Sequence, residues 1–180
     1  MTPMFIHKEY FQIINIMETV GRLFIPIGTL ADAVIYYTPI RQIKQMGTEA
    51  DFTAFKQQLD AITGPWIWVV DCAGVKLEQL LNIRLAQRIA TLLRAEHADR
   101  LKDTWVMHMN GWLRSVLSLF KAAVTVLSSD RLELFVQLQR IGCSHQTVEL
   151  ILAATASASS SAAAAGAGPT APATPARSHP

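Results

Sequence analysis

The chain is poor in the residues that mark disulfide-bonded, zinc-binding and nucleic-acid-binding proteins. Its 180 residues include only two cysteines, Cys72 and Cys143, and neither stands in the paired spacing of a zinc site. Both are therefore predicted to be buried small side chains and not a disulfide. Charged residues are also scarce, at 17% with a formal net charge of +2. This balance argues against a nucleic-acid partner, which needs a basic surface.

Long uninterrupted apolar runs are missing as well. A helix that crosses a bilayer needs about 20 consecutive, mostly apolar residues. Residues 23–40 are interrupted by Pro39. Residues 104–127 contain Arg114 and Lys121. Charged side chains also stand where the apolar core of a signal peptide would lie, so we expect a cytoplasmic protein that meets membranes only at their surface.

The motifs of common enzyme classes are absent too. The sequence has no glycine-rich phosphate loop and no Gly-x-Ser-x-Gly motif, so we expect a non-enzymatic protein without a cofactor. Asp71 is predicted to end a strand by accepting hydrogen bonds from the following turn, and His108 to be a buried, hydrogen-bonded histidine. His97 lies near Glu96 and Asp99, but no fourth ligand stands at useful spacing. No metal site is therefore predicted.

What the sequence does contain is an alternation of helical and strand-like apolar patterns. Helices are predicted at residues 6–20, 51–62, 78–94, 110–124 and 147–152, and strands at 22–27, 66–71, 104–109 and 132–136. Residues 30–45 stay undecided between strand, helix and loop. The strand at 66–71 is apolar on both faces, which is typical of a mostly parallel sheet covered by helices. The sequence thus predicts a single α/β domain.

The domain, residues 1–152, is predicted to end where a low-complexity tail begins. Residues 153–180 consist almost entirely of Ala, Ser, Thr, Gly and Pro. Such a composition buries too little apolar surface to offset the entropy of ordering the chain. The alanine-rich first half can extend a helix, and the chain from Gly166 onward is predicted to be disordered.

Two segments carry a resemblance to a known family. The first, WIWVVDCAGVKLEQLL, is an apolar strand that ends in Asp71 and is followed by Gly74 and a helix. The second, EHADRLKDTWVMHMNGWLRSVLSLFKAAV, runs from an acidic-Arg-Leu-Lys turn at 99–102 through a strand to a helix that ends near Lys121. Both segments resemble the CRAL-TRIO lipid-binding domain family, and Arg131 falls where that family has a basic residue.

Within that family, the chain is most similar to the divergent BCH-like branch, because of the pattern His108, Trp112 and Arg114. The resemblance covers residues 22–141. We therefore expect a domain without the N-terminal helical lobe that precedes many lipid-transfer members. It also departs from the family pattern at Asn110, which replaces a proline.

The resemblance implies that a lipid or other hydrophobic ligand binds between the sheet and residues 110–124, which would form a mobile, amphipathic gate helix. The residues implied to line the pocket are Trp68, Val70, Met107, Met109, Trp112, Leu113, Val116, Leu117 and Phe120. Arg131, Arg114 and Lys121 are implied to bind a phospholipid headgroup such as a phosphoinositide. Since each buried methylene contributes about 0.8 kcal/mol, the ligand would be exchanged during transient contact with a membrane surface.

Two other interpretations stay open. In the BCH-like branch the domain is a protein-interaction scaffold that binds a small GTPase or its regulator, and a scaffold needs no lipid cavity. A structurally similar domain of the sulfate-transporter and anti-sigma-antagonist type would have a small α/β sheet and no lipid. The block from 121 to 131 favours the CRAL-TRIO family over this last alternative.

Overall fold

The computed structural model describes residues 22–40, 48–75, 83–109 and 124–166, together with Gly111 and Arg114. The strands in these ranges are β1 (Ile25–Leu30), β2 (Ala33–Pro39), β3 (Trp66–Asp71), β4 (Leu101–Met107) and β5 (Thr125–Val126). The helices are α1 (Glu49–Asp60), α2 (Ile83–Glu96), α3 (Arg131–Ile141) and α4 (His145–Gly166). The helix predicted at 6–20 and most of the gate helix predicted at 110–124 lie outside the described residues.

The strands form one mixed sheet in which spatial order follows chain order, β1-β2-β3-β4-β5. β1 is antiparallel to β2, and the other three neighbouring pairs are parallel. Parallel neighbours need a crossover connection, and α1 and α2 belong to the crossovers from β2 to β3 and from β3 to β4. The predicted α/β class with a mostly parallel sheet is therefore confirmed.

Helices cover both faces of the sheet and form two separate cores. On the α1/α2 face, Trp66, Trp68 and Val70 of β3 pack with Phe55 and Leu59 of α1. On the α3/α4 face, the alternate β3 residues pack with residues of α3 and α4. All six residues of β3 are buried, and this agrees with the apolar character of its sequence on both faces.

An aromatic cluster fills the middle of the α1/α2 face. Phe24 lies 5.3 Å from Phe55 and 5.7 Å from Trp68, measured between ring centroids. Trp66 lies 6.2 Å from Trp68 in the same way. The indole Nε1 of Trp68 donates to the Thr38 hydroxyl at 2.9 Å, so the polar atom of this buried ring is satisfied. The ring of Trp68 is thereby fixed as part of a packed core.

The strand predicted at residues 132–136 is wrong, because this segment lies within helix α3. Asp130 caps the helix, and its Oδ1 accepts from the backbone N–H groups of Leu132 and Glu133 at 3.0 and 2.9 Å. Gly142 ends the helix with a left-handed φ of 98°. An aspartate at the N-cap and a glycine after the last turn are strong helix signals, and they override the alternating apolar pattern between them.

The other elements keep their predicted type where one was predicted but differ in their boundaries. The undecided region 30–45 contains strand β2, which ends at Pro39. The closing helix predicted at 147–152 is α4, and it continues to Gly166. Its residues Ala154 and Thr155 are buried against the rest of the fold. Of the helices in the described part of the chain, none has both the length and the apolar content that crossing a bilayer requires.

Candidate functional site

The carboxyl ends of β2 to β5 lie along one edge of the sheet, because these four strands are parallel. In open α/β sheets, ligands bind at this edge. Two features of the described chain lie here: an open depression next to β5, and a buried carboxylate at the end of β3.

The depression has a volume of about 440 Å³, which is within the range of small-molecule sites. Its walls come from the end of β4, from β5 and from the first half of α3. The lining residues are Met109, Arg114, Val126, Leu127, Ser128, Ser129, Glu133 and Gln137. Two residues predicted from the family resemblance, Met109 for the pocket and Arg114 for the headgroup, therefore lie in one concave site.

The wall on the α3 side is held by its own hydrogen bonds. The hydroxyl of Ser128 donates to Glu133 Oε2 at 2.7 Å, and the backbone N–H of Ser128 donates to Gln137 Oε1 at 2.8 Å. Asp130 occupies the N-terminal amides of α3. A phosphate at this helix end would meet carboxylates in place of free N–H groups, so the cationic part of the depression is Arg114.

A buried carboxylate, Asp71, ends β3 and is 1% exposed. Its Oδ2 accepts from the hydroxyl of Tyr37 at 2.5 Å. Its Oδ1 accepts from Nδ1 of His108 at 2.8 Å and from the backbone N–H of Ala73 at 2.9 Å. The bond from Ala73 confirms that Asp71 accepts from the turn after its strand. The other two bonds connect it to residues of β2 and of the β4 end.

These contacts lower the pKa of Asp71 and raise the pKa of His108, so both changes favour the charged form of each group. Burial alone would raise the pKa of Asp71, but the hydrogen bonds from His108, Tyr37 and Ala73 outweigh it and hold the pKa below its ordinary value. The hydrogen bond to Asp71 raises the pKa of His108, against the smaller opposing effect of burial. The neighbouring Cys72 thiol has its pKa raised to about 12 by burial and by Asp71, so it is not a nucleophile at neutral pH.

The backbone of His108 leaves strand geometry. Its φ is +53°, a left-handed conformation that is uncommon for a residue other than glycine. Strict alternation along β4 would put His108 on the α1/α2 face together with Val106. The ring instead reaches the Asp71 carboxylate, and its side chain is 21% exposed. His108 is thus hydrogen-bonded as predicted, although it is not fully buried.

The structure divides the remaining predicted pocket residues between the two faces of the sheet. Trp68, Val70 and Met109 belong to the α1/α2 face, whereas Met107 is buried in the core of the α3/α4 face. Met107 therefore does not share a pocket wall with the other three. The rest of the predicted pocket, Trp112, Leu113, Val116, Leu117 and Phe120, lies outside the described residues.

The predicted headgroup residues are also separated. Arg114 lines the depression, and Arg131 is an exposed residue at the start of α3 that does not line it. Lys121 lies outside the described residues. Of the two predicted headgroup residues that the structure describes, Arg114 lies in the concave site and Arg131 does not.

A cluster at the far end of α1 and α2 contains the ligand types of a metal site but does not suit a metal. Ligand atoms of Asp60, Glu96 and His97 lie within 4.8 Å of one another. The ammonium of Lys56 already contacts both carboxylates. Arg100 lies 2.9 Å from Nδ1 of His97, and since a guanidinium only donates, Nδ1 is the acceptor. The ring proton is then on Nε2, the nitrogen that would have to bind the ion.

This cluster is a polar contact between two helix ends. His97 Nε2 lies 3.2 Å from Asp60 Oδ1, within ion-pair distance but outside hydrogen-bond geometry. Burial and the nearby Arg100 lower the pKa of His97, which keeps the ring neutral. The sequence analysis considered His97 together with Glu96 and Asp99, whereas the structure brings Asp60 to His97 and Glu96.

A second concave feature runs along the outer surface of α2, with a volume of about 550 Å³. Among the described residues, its walls come from α2 alone: Arg84, Gln87, Arg88, Thr91, Leu92, Ala95 and Glu96. Arg88 is held by Glu49, with guanidinium–carboxylate distances of 2.6 and 2.8 Å. A groove formed by one helix and open to solvent offers a ligand little enclosed apolar surface.

The sequence predicts Met109 and Arg114 as site residues and Asp71 as an acceptor for the following turn, but it does not predict the bonds from Tyr37 and His108 to Asp71. Tyr37 lies in the region 30–45, for which the sequence does not decide between strand, helix and loop. The bond from His108 depends on a left-handed backbone conformation that the sequence does not predict.

A search of protein-family models and a search of curated proteins found no match to this chain.

Proposed function

We propose that the protein is a non-enzymatic binding module for a lipid or other hydrophobic ligand, which enters at the depression beside β5. The observation that carries this proposal is the position of Met109 and Arg114 in one depression at the carboxyl edge of the sheet. One of these side chains is apolar and the other is cationic. A depression of this kind suits an amphipathic molecule with an anionic or zwitterionic head.

The residues that flank the predicted gate helix support this proposal. Met109 and Val124 both pack on the α1/α2 face, where Trp68, Val70 and Val106 lie. A right-handed crossover between β4 and β5 would cover this same face, as α1 and α2 do. Residues 110–124 are rich in apolar side chains. We propose that the acyl chain of the ligand lies between these residues and the sheet.

Native mass spectrometry of the full chain tests this proposal. The protein is incubated with vesicles of mixed phospholipids, separated by gel filtration and sprayed under native conditions. We expect a bound lipid mass on the wild-type protein, and at least five-fold less of it on Met109→Trp, because the larger side chain fills the depression. Arg140→Glu changes the charge of an exposed residue outside the depression and should bind as the wild type does. A bare polypeptide mass in every sample would reject the proposal.

A second candidate function is a protein-interaction scaffold. Leu132 is 74% exposed and Val136 is 37% exposed, one helical turn apart on α3, and Val126 on β5 is 41% exposed. Exposed apolar side chains that lie near one another are common at protein interfaces. The resemblance to the BCH-like branch points to a small GTPase or its regulator as the partner.

Biolayer interferometry against small GTPases loaded with GDP or a GTP analogue tests this second candidate. Binding that is lost in Leu132→Lys with Val136→Lys, and kept in Gln139→Lys on the same helix, would support a scaffold. If no GTPase binds at 10 μM protein while the lipid mass is observed, the first proposal stands alone.

A further inference from the structure

His108 has the features of a ligand-binding residue at the carboxyl edge of the sheet. Its ring is held through Nδ1 by Asp71, and Asp71 is held by Tyr37 and the backbone of Ala73. Among the described residues, no hydrogen-bond partner of Nε2 is found. The side chain is 21% exposed, so Nε2 is the atom of this network that remains for a molecule from outside.

The chemistry of Asp71 determines which atom of the ring carries a proton. A deprotonated carboxylate accepts hydrogen bonds and does not donate, so Nδ1 of His108 must be the donor between them. When the ring takes a second proton, that proton is on Nε2. A carboxylate partner stabilises this doubly protonated form, in the manner of carboxylate–imidazole pairs in other proteins.

The backbone at His108 supports the same interpretation. A left-handed φ of +53° is strained for a residue other than glycine, and such conformations are concentrated at ligand and active sites. The next residue, Met109, lines the depression, and so does Arg114. The charged residues that line the depression are Arg114 and Glu133, and His108 directly precedes Met109 in the chain without being a lining residue itself.

We propose that His108, positioned by Asp71, donates from Nε2 to an anionic oxygen of the ligand, a phosphate or carboxylate, at the carboxyl edge of the sheet next to the depression. Arg114 supplies the second cationic contact. Glu133 is engaged by the hydroxyl of Ser128. This inference names the polar group of the ligand, and it therefore rests on the proposed function. It adds His108 to the basic residues predicted to bind the headgroup.

The test is long-range ¹H–¹⁵N correlation spectroscopy of the histidine rings in the uniformly labelled full chain. The probes are inorganic phosphate, dihexanoyl phosphatidic acid and neutral dihexanoylglycerol, each below the concentration at which it aggregates. The signals of His108 are assigned by their loss in His108→Asn. We expect phosphatidic acid to shift Nε2 of His108 and to raise the titration midpoint of the ring, and dihexanoylglycerol to leave both unchanged.

The matched variants are His108→Asn and His145→Asn. Asparagine tolerates the left-handed backbone and can still donate to Asp71, but it lacks the atom that faces the ligand. We expect at least a ten-fold weaker affinity for phosphatidic acid in His108→Asn and no change in His145→Asn, since His145 is an exposed residue at the start of α4.

The outcomes separate this inference from the proposed function. If phosphatidic acid and dihexanoylglycerol bind equally well and the His108 signals do not move, the inference is overturned and lipid binding stands. If inorganic phosphate shifts His108 but neither lipid binds, the anion site is supported and lipid binding is rejected. If no anion moves the His108 signals, the inference is overturned.

Discussion

At the scale of single residues, the pair formed by Asp71 and His108 makes stability depend on pH in a predictable direction. The pKa of His108 is raised in the folded state, so its stabilising effect is complete below the ordinary histidine pKa of 6.5 and is lost as the pH rises through the folded value. The pKa of Asp71 is lowered, so its contribution is lost only in acid. The pair should therefore stabilise most between roughly pH 4 and 6.5.

We expect the difference in free energy of unfolding between wild type and His108→Asn to be largest near pH 5.5 and to shrink by about 1 kcal/mol by pH 9. Urea denaturation followed by tryptophan fluorescence at several pH values measures this difference. The variant that carries both Asp71→Asn and His108→Asn lacks the pair and serves as the control. A difference that is constant or grows from pH 6 to 9 would contradict the assignment of the pair.

Gly28 in β1 lies too close to α4 to carry a side chain, and adding one methyl group at this position tests that contact. A Cβ at Gly28 would lie 2.7 Å from both Cγ2 and Oγ1 of Thr147 in the first turn of α4. We expect Gly28→Ala to lower the free energy of unfolding by about 1–3 kcal/mol, as overpacking does. Gly64→Ala is the control, because nothing lies within 4 Å of the added atom.

A double variant checks the cause of that effect. Combining Gly28→Ala with Thr147→Ser removes Cγ2 from the contact, so the loss should be smaller than the sum of the two single losses. Additive losses would mean that the methyl group destabilises the fold elsewhere.

At the scale of the elements, α3 depends on its N-cap. The Oδ1 atom of Asp130 accepts from two backbone N–H groups that have no partner within the helix. We expect Asp130→Ala to cost about 1 kcal/mol of unfolding free energy, and Asp130→Asn to cost much less, since its amide oxygen still accepts. Thermal melts of both variants measure the difference. Equal melting temperatures for both variants would contradict the capping role.

The same helix shows where sequence reasoning is limited. Leu132, Leu134 and Val136 alternate as a strand does, yet the fold buries Leu134 with Leu138 and leaves Leu132 exposed. The residues that alternate in the sequence are therefore not the ones that the fold buries together. By contrast, β3 could be predicted because all its residues are buried on two covered faces. Local composition reflects the burial of β3 but does not reveal which side of α3 meets the sheet.

The candidate site was predictable to the extent that its contacts are local. The bond from the backbone of Ala73 to Asp71 spans two residues and follows from the turn after a strand. The bonds from Tyr37 and His108 span 34 and 37 residues. They depend on the register of β3 with its two neighbours, and sequence alone does not determine that register. Met107 is predicted to line the pocket with Trp68 and Val70, but its side chain lies on the opposite face of the sheet. The face that a side chain occupies depends on its position along β4, which the sequence alone does not determine.

At the scale of the whole molecule, the end of the folded domain can be located by truncation. The sequence places the end at residue 152, whereas Ala154 is 2% exposed and its carbonyl lies 3.4 Å from the hydroxyl of Tyr37. We expect a chain that ends at residue 152 to melt several degrees below one that ends at 166, since about 1 kcal/mol corresponds to roughly 2–4 °C at this size. Differential scanning calorimetry measures both. Equal melting temperatures would place the end of the cooperative unit before Ala154.

The ordering of the sheet also has a consequence for synthesis. Strands β1 to β5 appear in space in the order in which they leave the ribosome, so each new strand can join the edge of those already made. The α3/α4 face, however, is fully covered only when both α3 and α4 have been made, and α4 packs on β1, the earliest of the described strands. Until then, the growing chain presents one apolar side of a nearly finished sheet, which is where a nascent-chain chaperone would be needed.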